Sequence, residues 1–336
     1  MAAAMELWQA LRAGDVDTVR ELAADEDLRE AVSEKGYRAI HLVVLGHHVD
    51  ALRELLEAGA DVDARRDDGW TALHHCAAFG KVEMARVLLE YNASLDARDN
   101  DGWTALLEAC SPDAPEETKA EMIQLLVDKN ADVNAQKTDG ASPLHLVAAS
   151  GSVASGEILC DAGAALESRR GSTGPTPLFV AATRGHASFV VMLISRGADP
   201  RCQTSRGRDA LLSAVEGEHL DVVKVLVASG VAPKRAHFTA SESVSDEVLK
   251  AFVLFALSSE LVVRLRSCAM ERYIPDFFDK DITSLEAGQE CGDEDLENLG
   301  VASPDHREAI IHTLSSKRSS LSRLSQRLSL GIRLGK

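Results

Sequence analysis

Apolar residues recur with helical spacing, in short paired segments, along the first two thirds of the chain. In residues 69–101 the first segment places Leu73, Cys76 and Ala77 on one side, and a second apolar segment occupies residues 82–89. Residues three and four positions apart lie on one face of a helix. Gly80, between the segments, suits the left-handed conformation that ends a helix. The pattern predicts two short helices joined by a turn, with small residues that let a neighbouring pair approach closely.

This helix pair returns at a nearly fixed interval. A glycine-led block of seven residues occurs as GYRAIHL from Gly36, GWTALHH from Gly69, GWTALLE from Gly102, GASPLHL from Gly140, GPTPLFV from Gly174 and GRDALLS from Gly207. The starts are separated by 33, 33, 38, 34 and 33 residues. A period of this size predicts stacked units that each contact only their neighbours, rather than one globular core.

The repeated block resembles the ankyrin repeat, whose pattern is G-x-TPLH-x-AA-x-x-G-H followed by a second helix ending in LL-x-x-GA-x-x-N. The second-helix ending recurs as LLEAGADVDA, LLVDKNADVNA and LISRGADPRC, and residues 7–26 are similar to a degenerate N-terminal cap. The resemblance implies an all-α solenoid of a cap and six repeats over residues 1–239. It also implies that His41, His74 and His145 are structural hydrogen-bonding residues rather than ligands or bases.

The third repeat departs from the period by about five extra residues. They fall in SPDAPEET, residues 111–118, between the two helices of that repeat. Proline together with acidic residues indicates an exposed loop here.

The resemblance also implies where a partner binds: on the turn tips and the exposed side of the first helices, which form a concave face. We call this surface the recognition face; its candidate residues are Trp70, His75, Phe79, Trp103, Glu108, Asp68, Asp99 and Asp101. Aromatic anchors in an acidic field suit a peptide with basic residues and an apolar anchor. A tryptophan after the repeat glycine can equally serve only to pack along the turn, and the sequence leaves both interpretations open.

The period stops after Phe238, and residues 240–257 are predicted to be a linker and a capping helix. The apolar run of residues 248–257 either covers the open end of the last repeat or packs against the next domain. Residues 258–316 resemble a sterile alpha motif (SAM) domain, a module of five helices. DLENLGV followed by His306 and Arg307 carries most of this resemblance. Arg264 stands where tryptophan is usual, and Asp305 replaces the usual glycine.

SAM domains associate head to tail, which implies an acidic surface and a complement at the positive end of the last helix dipole. The acidic candidates are Asp279, Asp281, Glu286, Asp293, Glu294 and Glu297, and the complement is His306 with Arg307. These surfaces predict homo- or hetero-oligomers, although Asp305 weakens the case for self-association. The alternative is a solvated acidic helix face. A net charge of −8 over residues 258–316 disfavours RNA binding.

The last twenty residues, 317–336, contain six basic residues and no acidic residue. Leu321, Leu324 and Leu328 interleaved with arginines predict a basic amphipathic helix that contacts an anionic membrane, calmodulin or the protein's own acidic surfaces. A disordered tail is the alternative. Serines beside basic residues are candidate phosphorylation sites: Ser319, Ser320, Ser325 and Ser329. Phosphate there would reverse the local charge.

The charge and the motifs limit the classes of function. The net charge of −17 argues against general affinity for nucleic acid or anionic lipid, and residues 1–139 alone hold 29 acidic and 14 basic residues. The six cysteines lack zinc-site spacing and are predicted to be reduced thiols. No motif assembles a nucleophile with a base, a phosphate loop or metal ligands, so we expect no enzyme and no catalytic, cofactor or metal site.

The sequence therefore predicts a non-enzymatic adaptor or scaffold of the kind used in signalling, which binds a protein partner through its repeats and pairs through its C-terminal module. The alternative is a regulatory subunit that inhibits or recruits a catalytic partner. The N-terminus lacks the basic start of a secretory signal, so we expect a cytoplasmic location, with the nucleus as the alternative. The sequence does not name the partner.

Overall fold

The structure is a computed structural model that describes residues 2–33, 36–231, 240, 256, 260–280, 282–283 and 285–315. Regular structure in these residues is helical, and the one isolated β-bridge among them joins Gln203 to Asp209. The expectation of an all-α chain is confirmed for this part of the protein. The linker and capping helix proposed for residues 240–257 and the tail 317–336 lie almost entirely outside the described residues.

Fifteen helices precede residue 231 in the described residues. They are α1 Ala2–Ala13, α2 Val16–Leu22, α3 Glu26–Arg29, α4 Ala39–Gly46, α5 Val49–Glu57, α6 Ala72–Ala78, α7 Val82–Glu90, α8 Ala105–Ala109, α9 Glu116–Asp128, α10 Pro143–Ser150, α11 Val153–Asp161, α12 Pro177–Thr183, α13 Ala187–Ser195, α14 Ala210–Glu216 and α15 Leu220–Ala228. From α4 onward they come in pairs, one pair for each glycine-led block. The number of complete repeats stays a prediction.

The C-terminal part contains five α-helices in the described residues, as the sequence predicts. They are α16 Glu260–Ser267, α17 Ile274–Asp279, α18 Leu285–Glu290, α19 Asp293–Asn298 and α20 Pro304–Ser315, with a 3₁₀ turn at Glu271–Tyr273. Contacts divide the chain into two compact units, Met1–Ala210 and Leu211–Lys336. The predicted domain boundaries at residues 239, 257 and 316 remain predictions.

In the first unit, first helices pack against first helices and second helices against second helices. α6 contacts α4 and α8, while α7 contacts α5 and α9. Leu73, Cys76 and Ala77 of α6 and Val82 and Leu88 of α7 are all buried, as their helical spacing predicts. Burying one leucine or valine side chain contributes about 1.5–3 kcal/mol, so the stacked apolar faces supply the main stabilising free energy of the unit.

Three histidines, His41, His74 and His145, each tie their own repeat to the following one, as the resemblance implies. The Nδ1 atom of His74 accepts a hydrogen bond from the backbone N–H of Thr71, the N-cap of its own helix, at 3.2 Å. Its Nε2–H donates to the carbonyl oxygen of Trp103 in the following repeat at 3.1 Å. His41 and His145 make the same bridge to the carbonyl oxygens of Trp70 and Pro175. These side chains are structural links between repeats.

The repeat glycines adopt the backbone conformation that the turn requires. Gly69, Gly102 and Gly140 have φ of 87°, 81° and 83°. A Cβ on Gly140 would lie 2.2 Å from the backbone nitrogen of Gly171 in the next turn. Neighbouring turns are also joined directly, since the N–H of Thr138 donates to the carbonyl oxygen of Asp101 at 3.1 Å.

The insertion in the third repeat is only partly a loop. We expected an exposed loop over residues 111–118, but α9 already begins at Glu116, with Pro115 as its N-cap. The reason is a local network: the buried Lys119 ammonium group pairs with Glu116 at 2.8 Å, and the Ser152 hydroxyl donates to the same carboxylate at 2.7 Å. The extra residues therefore lengthen the second helix.

In the second unit, the C-terminal helices enclose their own small core. Its fully buried side chains include Leu265, Phe277, Leu296 and Ile310. Arg264, in place of the usual tryptophan, donates to the carbonyl oxygens of Thr313 and Leu314 at 3.2 and 3.0 Å. A cation at the last carbonyl groups stabilises the end of a helix, so Arg264 has a structural function at the end of α20.

Candidate functional site

The recognition face contains a cluster of aromatic rings over the first two glycine-led blocks. The His75 ring lies 4.8 Å from the Trp70 ring, edge to face, and 6.2 Å from the Phe79 ring. The Tyr37 ring is 6.1 Å from His75. Trp70 is half-buried, whereas 53% of Phe79 is exposed. An aromatic side chain this exposed, backed by fixed rings, is a preformed apolar anchor point.

His75 supports this cluster from beneath. Only 2% of His75 is exposed. Its Nδ1–H donates to the Thr71 carbonyl oxygen at 3.3 Å, and its Nε2 accepts from the Arg66 guanidinium at 3.2 Å. Burial is the main reason that its pKa falls to about 4, so the ring is neutral at physiological pH. His75 was expected to face a partner, and the structure places it inside the cluster, where it positions the exposed rings.

The predicted acidic tips differ in what they do. One Asp99 oxygen accepts the Trp70 indole N–H at 3.0 Å, and the other accepts the backbone N–H groups of Asp101 and Trp103 at 3.0 and 2.7 Å. Asp68 is exposed and pairs with Arg66 at 3.1 Å. Asp101 is exposed at its tip. Asp99 therefore fastens two turns together, while Asp68 and Asp101 supply surface charge.

The aromatic residues that follow a repeat glycine pack along the turn, which is one of the two interpretations that the sequence left open. The Lys137 ammonium group lies 4.5 Å from the centre of the Trp103 ring, and the Arg66 guanidinium lies 4.3 Å from the centre of the Tyr37 ring. Tyr37 was not among the sequence candidates. It stands directly after its repeat glycine, at the position of Trp70 and Trp103, so the repeat register contained the information needed to find it.

Glu108 differs from the other acidic candidates because it is buried. Only 8% of the residue is exposed, and its carboxylate forms no hydrogen bond or ion pair with the residues that the structure describes. Burial, followed by repulsion from Asp99, raises its pKa to about 7, while Lys137 opposes the rise. A buried carboxylate whose pKa is raised toward neutrality is a marker of a functional site.

Ion pairs on the second helices contrast with this unpaired acid. Arg53 of α5 pairs with Glu90 of α7 at 2.7 Å, and Arg86 of α7 pairs with Glu121 of α9 at 3.1 Å. These exposed pairs contribute about 0–1 kcal/mol each, but they neutralise the charges on that side. At the turn tips, Asp68 and Asp139 are likewise paired, with Arg66 and Lys137, so the Glu108 carboxylate stands out as an acid without a partner among the described residues.

The candidate SAM surfaces are partly used inside the domain. Arg307 is buried; its guanidinium binds Asp293 at 2.8 Å and the carbonyl oxygens of Val301 and Ala302 at 2.9 and 3.0 Å. It therefore holds α19 to α20 rather than facing solvent. Asp279 pairs with Lys224 of α15 at 2.5 Å, within the unit Leu211–Lys336.

His306 and the exposed acids Glu294 and Glu297 remain as surface candidates. The Tyr273 hydroxyl bonds the His306 ring at 3.0 Å, and Arg272 contacts the same ring. Arg272 is exposed and supplies positive charge beside His306. Arg272 lies 34 positions before His306 along the chain, so no local pattern in the sequence links the two residues.

Some predicted sites lie outside the described residues. These are Asp281, the Glu286 side chain and the four serines Ser319, Ser320, Ser325 and Ser329. Among the described residues, no three metal-ligating side chains come together, and no helix is long and apolar enough to cross a membrane. The six thiols are free; Cys76 and Cys110 are buried, and burial raises the pKa of both.

Comparison with protein families identifies both parts of the chain. Five overlapping segments, residues 7–99, 60–117, 92–170, 113–203 and 165–237, match the family described as "Ankyrin repeats (3 copies)". Residues 264–317 match the family described as "SAM domain (Sterile alpha motif)". A comparison with the curated proteins finds no match.

Proposed function

Since the chain belongs to the ankyrin-repeat family and contains a SAM domain at residues 264–317, two modules of protein–protein interaction, we propose that it is a non-enzymatic adaptor. Its recognition face captures a peptide segment of a partner protein, and its SAM domain pairs with a second SAM domain. Binding by preformed modules of this kind needs no chemical step.

The exposed Phe79 ring is the observation that carries the first half of this proposal. It is fixed against His75, which is itself held by Thr71 and Arg66, so little conformational entropy is lost when an apolar side chain packs on it. Asp68 and Asp101 are exposed at the turn tips of the recognition face. These features support a ligand with an apolar anchor and basic flanks.

Selection of random peptides displayed on phage tests this function with the full chain as bait. We expect enriched peptides to combine an apolar residue with basic residues, and Phe79→Ser to weaken their binding by more than about tenfold, the loss of one well-packed anchor. Val191→Ser is the matched control, because Val191 is 49% exposed but lies on the second-helix side in α13. Equal binding by wild type and Phe79→Ser would contradict the proposed role of this face.

The SAM half of the proposal is supported by exposed groups of opposite charge. Glu294 and Glu297 of α19 are exposed acidic residues, and Arg272 beside His306 is an exposed basic residue. Arg307 is not a suitable surface variant, since its removal would leave the Val301 and Ala302 carbonyl groups and Asp293 without their donor.

Light scattering of the full chain across concentration at low and high salt tests the pairing. We expect the mass to grow at low salt in the wild type and to stay at one chain in Glu294→Lys and in Arg272→Glu. A mixture of the two variants should form dimers of one Glu294→Lys chain and one Arg272→Glu chain. Each variant retains one intact surface, so one contact can form and no further chain can be added. Glu308→Lys, on the exposed side of α20, is the control. Growth that survives both variants would contradict these surfaces, and a constant mass of one chain in the wild type would contradict self-association.

A further inference from the structure

Three positions of the repeat register build one column along the recognition face. The first lies three residues before the repeat glycine, at the turn tip, and the second lies directly after the glycine. The third lies six residues after the glycine, on the first helix. The tip residues of the second, third and fourth repeats are Arg66, Asp99 and Lys137. The aromatic residues after the glycines of the first, second and third repeats are Tyr37, Trp70 and Trp103. Each tip residue contacts the aromatic residue of the preceding repeat.

The second repeat shows how a cation fits this column. The Arg66 guanidinium lies over the Tyr37 ring at 4.3 Å and donates to His75, the residue six positions after its glycine, at 3.2 Å. The tip cation therefore satisfies both the aromatic face and the polar group on the first helix. A planar guanidinium is well suited to such a combined contact.

The third repeat has the same column without the cation. Its tip residue is Asp99 instead of arginine, and its first helix carries Glu108 instead of histidine. Asp99 accepts hydrogen bonds from the Trp70 indole and two backbone N–H groups, and a carboxylate has no hydrogen to donate to Glu108. The ammonium group of Lys137 is directed to the Trp103 ring at 4.5 Å and to Asp139 at 3.2 Å. Two carboxylates thus stand where the preceding repeat holds a cation and a neutral ring.

The Glu108 carboxylate is buried, unpaired and still reachable. Only 8% of the residue is exposed, and no described residue bonds its carboxylate. Some side-chain atoms of the described residues, such as Trp8 Nε1 and Thr118 Oγ1, are sealed from solvent and have no hydrogen-bond partner. Neither Glu108 oxygen is among them, so the unpaired carboxylate is reachable from solvent. A carboxylate in a polar recess at the surface gains strongly from a bidentate cation, because the local dielectric is lower than that of water.

We propose that Glu108 is the acceptor for a basic side chain, an arginine in the first instance, that the partner peptide inserts between Trp70 and Trp103. The inserted guanidinium takes the place in the third repeat that Arg66 takes in the second. This inference rests on the proposed function and specifies its ligand: an apolar residue on Phe79 and a basic residue at Glu108.

The proposal has a pH signature. Glu108 has a pKa of about 7, so it is mostly protonated one pH unit below that value and mostly ionised one unit above. If only the ionised form accepts the cation, affinity rises about tenfold from pH 6 to pH 8, following the ionised fraction. The groups acting on Glu108 are Asp99 and Lys137. Burial lowers the pKa of His74 and His75 on α6 and of His145 on α10, which favours the neutral form of these rings. On α9, Lys119 is paired with Glu116.

The test uses an arginine-containing peptide selected on the full chain and the same peptide with citrulline, which keeps the shape of arginine but removes the charge. Fluorescence polarisation gives the affinity of each peptide for the wild type, Glu108→Gln and the control Glu117→Gln, an exposed acid on α9 of the same repeat. We expect the wild type and Glu117→Gln to bind the arginine peptide at least about tenfold more tightly than the citrulline peptide at pH 8. Glu108→Gln should bind both peptides equally and show no pH dependence.

The outcomes separate this inference from the function on which it rests. Selected peptides without any basic residue, or an arginine preference that Glu108→Gln retains, would contradict the role of Glu108 and leave the adaptor function standing. Failure to select any peptide on the wild type would contradict the proposed peptide-capturing function itself. Thermal unfolding of Glu108→Gln checks that the variant is folded, which we expect since the substitution removes a buried charge without changing its shape.

Discussion

Glu108 is a buried carboxylate that the fold leaves without a hydrogen-bond partner among the described residues. Its pKa in the folded chain is about 7, against an ordinary value of 4.5. A carboxyl group whose pKa is raised by folding stabilises the fold fully below pH 4.5, and this stability is lost as the pH rises toward 7. The loss is on the order of 3 kcal/mol, since one pH unit corresponds to about 1.4 kcal/mol. A site that destabilises the free protein is what a preformed acceptor for a cation requires.

Glu108→Gln should therefore increase the stability of the free protein above neutral pH. The reason is that the amide does not ionise in the buried site. Urea unfolding at about pH 5 and about pH 8 measures the effect: the gain in stability of the variant over the wild type should be much larger at the higher pH, up to about 3 kcal/mol. Glu117→Gln should follow the wild type at both values. A gain of the same size at both pH values would show that ionisation of Glu108 is not its source.

The buried histidines act in the opposite direction. Burial lowers the pKa of His41 and His75 from 6.5 to about 4. A group whose folded pKa is depressed gives stability that is present above its unfolded pKa and is lost as the pH falls through the folded value. The free energy of unfolding should therefore fall between pH 6.5 and pH 4, by on the order of 3 kcal/mol for His41 alone.

His41→Gln tests this acid dependence, because glutamine keeps a polar side chain but does not titrate. Thermal unfolding followed by circular dichroism over pH 4 to 7 should show a shallower fall in melting temperature for the variant. His47→Gln is the control, since His47 lies at the C-terminal cap of α4 and makes no bridge to the next repeat in the described structure. Parallel pH curves for His41→Gln and the wild type would contradict this source of acid sensitivity.

Turns between helices set the distance between repeats, and two glycines with the same backbone conformation make a matched pair. Gly140 and Gly163 have φ of 83° and 87°. A Cβ on Gly140 would meet the backbone of Gly171, whereas a Cβ on Gly163 would meet nothing within 4 Å. Gly163→Ala should cost only the left-handed strain of about 1–2 kcal/mol. Gly140→Ala should cost clearly more, because two turns must also move apart. Urea unfolding of both variants measures the difference, and equal costs would contradict the close approach of these turns.

The elements show what the sequence could predict and what it could not. Helical spacing correctly placed α6 and α7, because apolar periodicity alone determines which face of a short helix is buried. Glycine positions correctly placed the turns for the same local reason. The loop predicted over residues 111–118 was wrong at its end, because Lys119 and Ser152, which bind the Glu116 carboxylate where α9 begins, lie outside that segment. The burial of His75 and Arg307 could not be predicted from the sequence either, since it depends on the neighbouring repeat or helix.

Inside the unit Leu211–Lys336, one contact bears on the pairing of SAM domains. Lys224 of α15 binds Asp279 of α17, and α15 also packs against the 3₁₀ turn Glu271–Tyr273. Burial and the neighbouring Asp279 raise the pKa of Asp276, while Lys224 opposes that rise. Asp279 was expected on the acidic association surface, and its engagement by Lys224 withdraws one negative charge from that surface.

Lys224→Glu should therefore strengthen self-association of the full chain. The new carboxylate repels Asp279 and Asp276, so Asp279 is released to the acidic surface and the attraction to Arg272 of another copy increases. Light scattering at low salt should show a larger mass for Lys224→Glu than for the wild type at the same concentration, and high salt should remove the difference because it screens exposed charges. Lys129→Glu changes the net charge equally at the end of α9 and should leave the mass unchanged. A mass equal to that of the wild type, or a gain that persists at high salt, would show that the pair of Lys224 and Asp279 does not limit association.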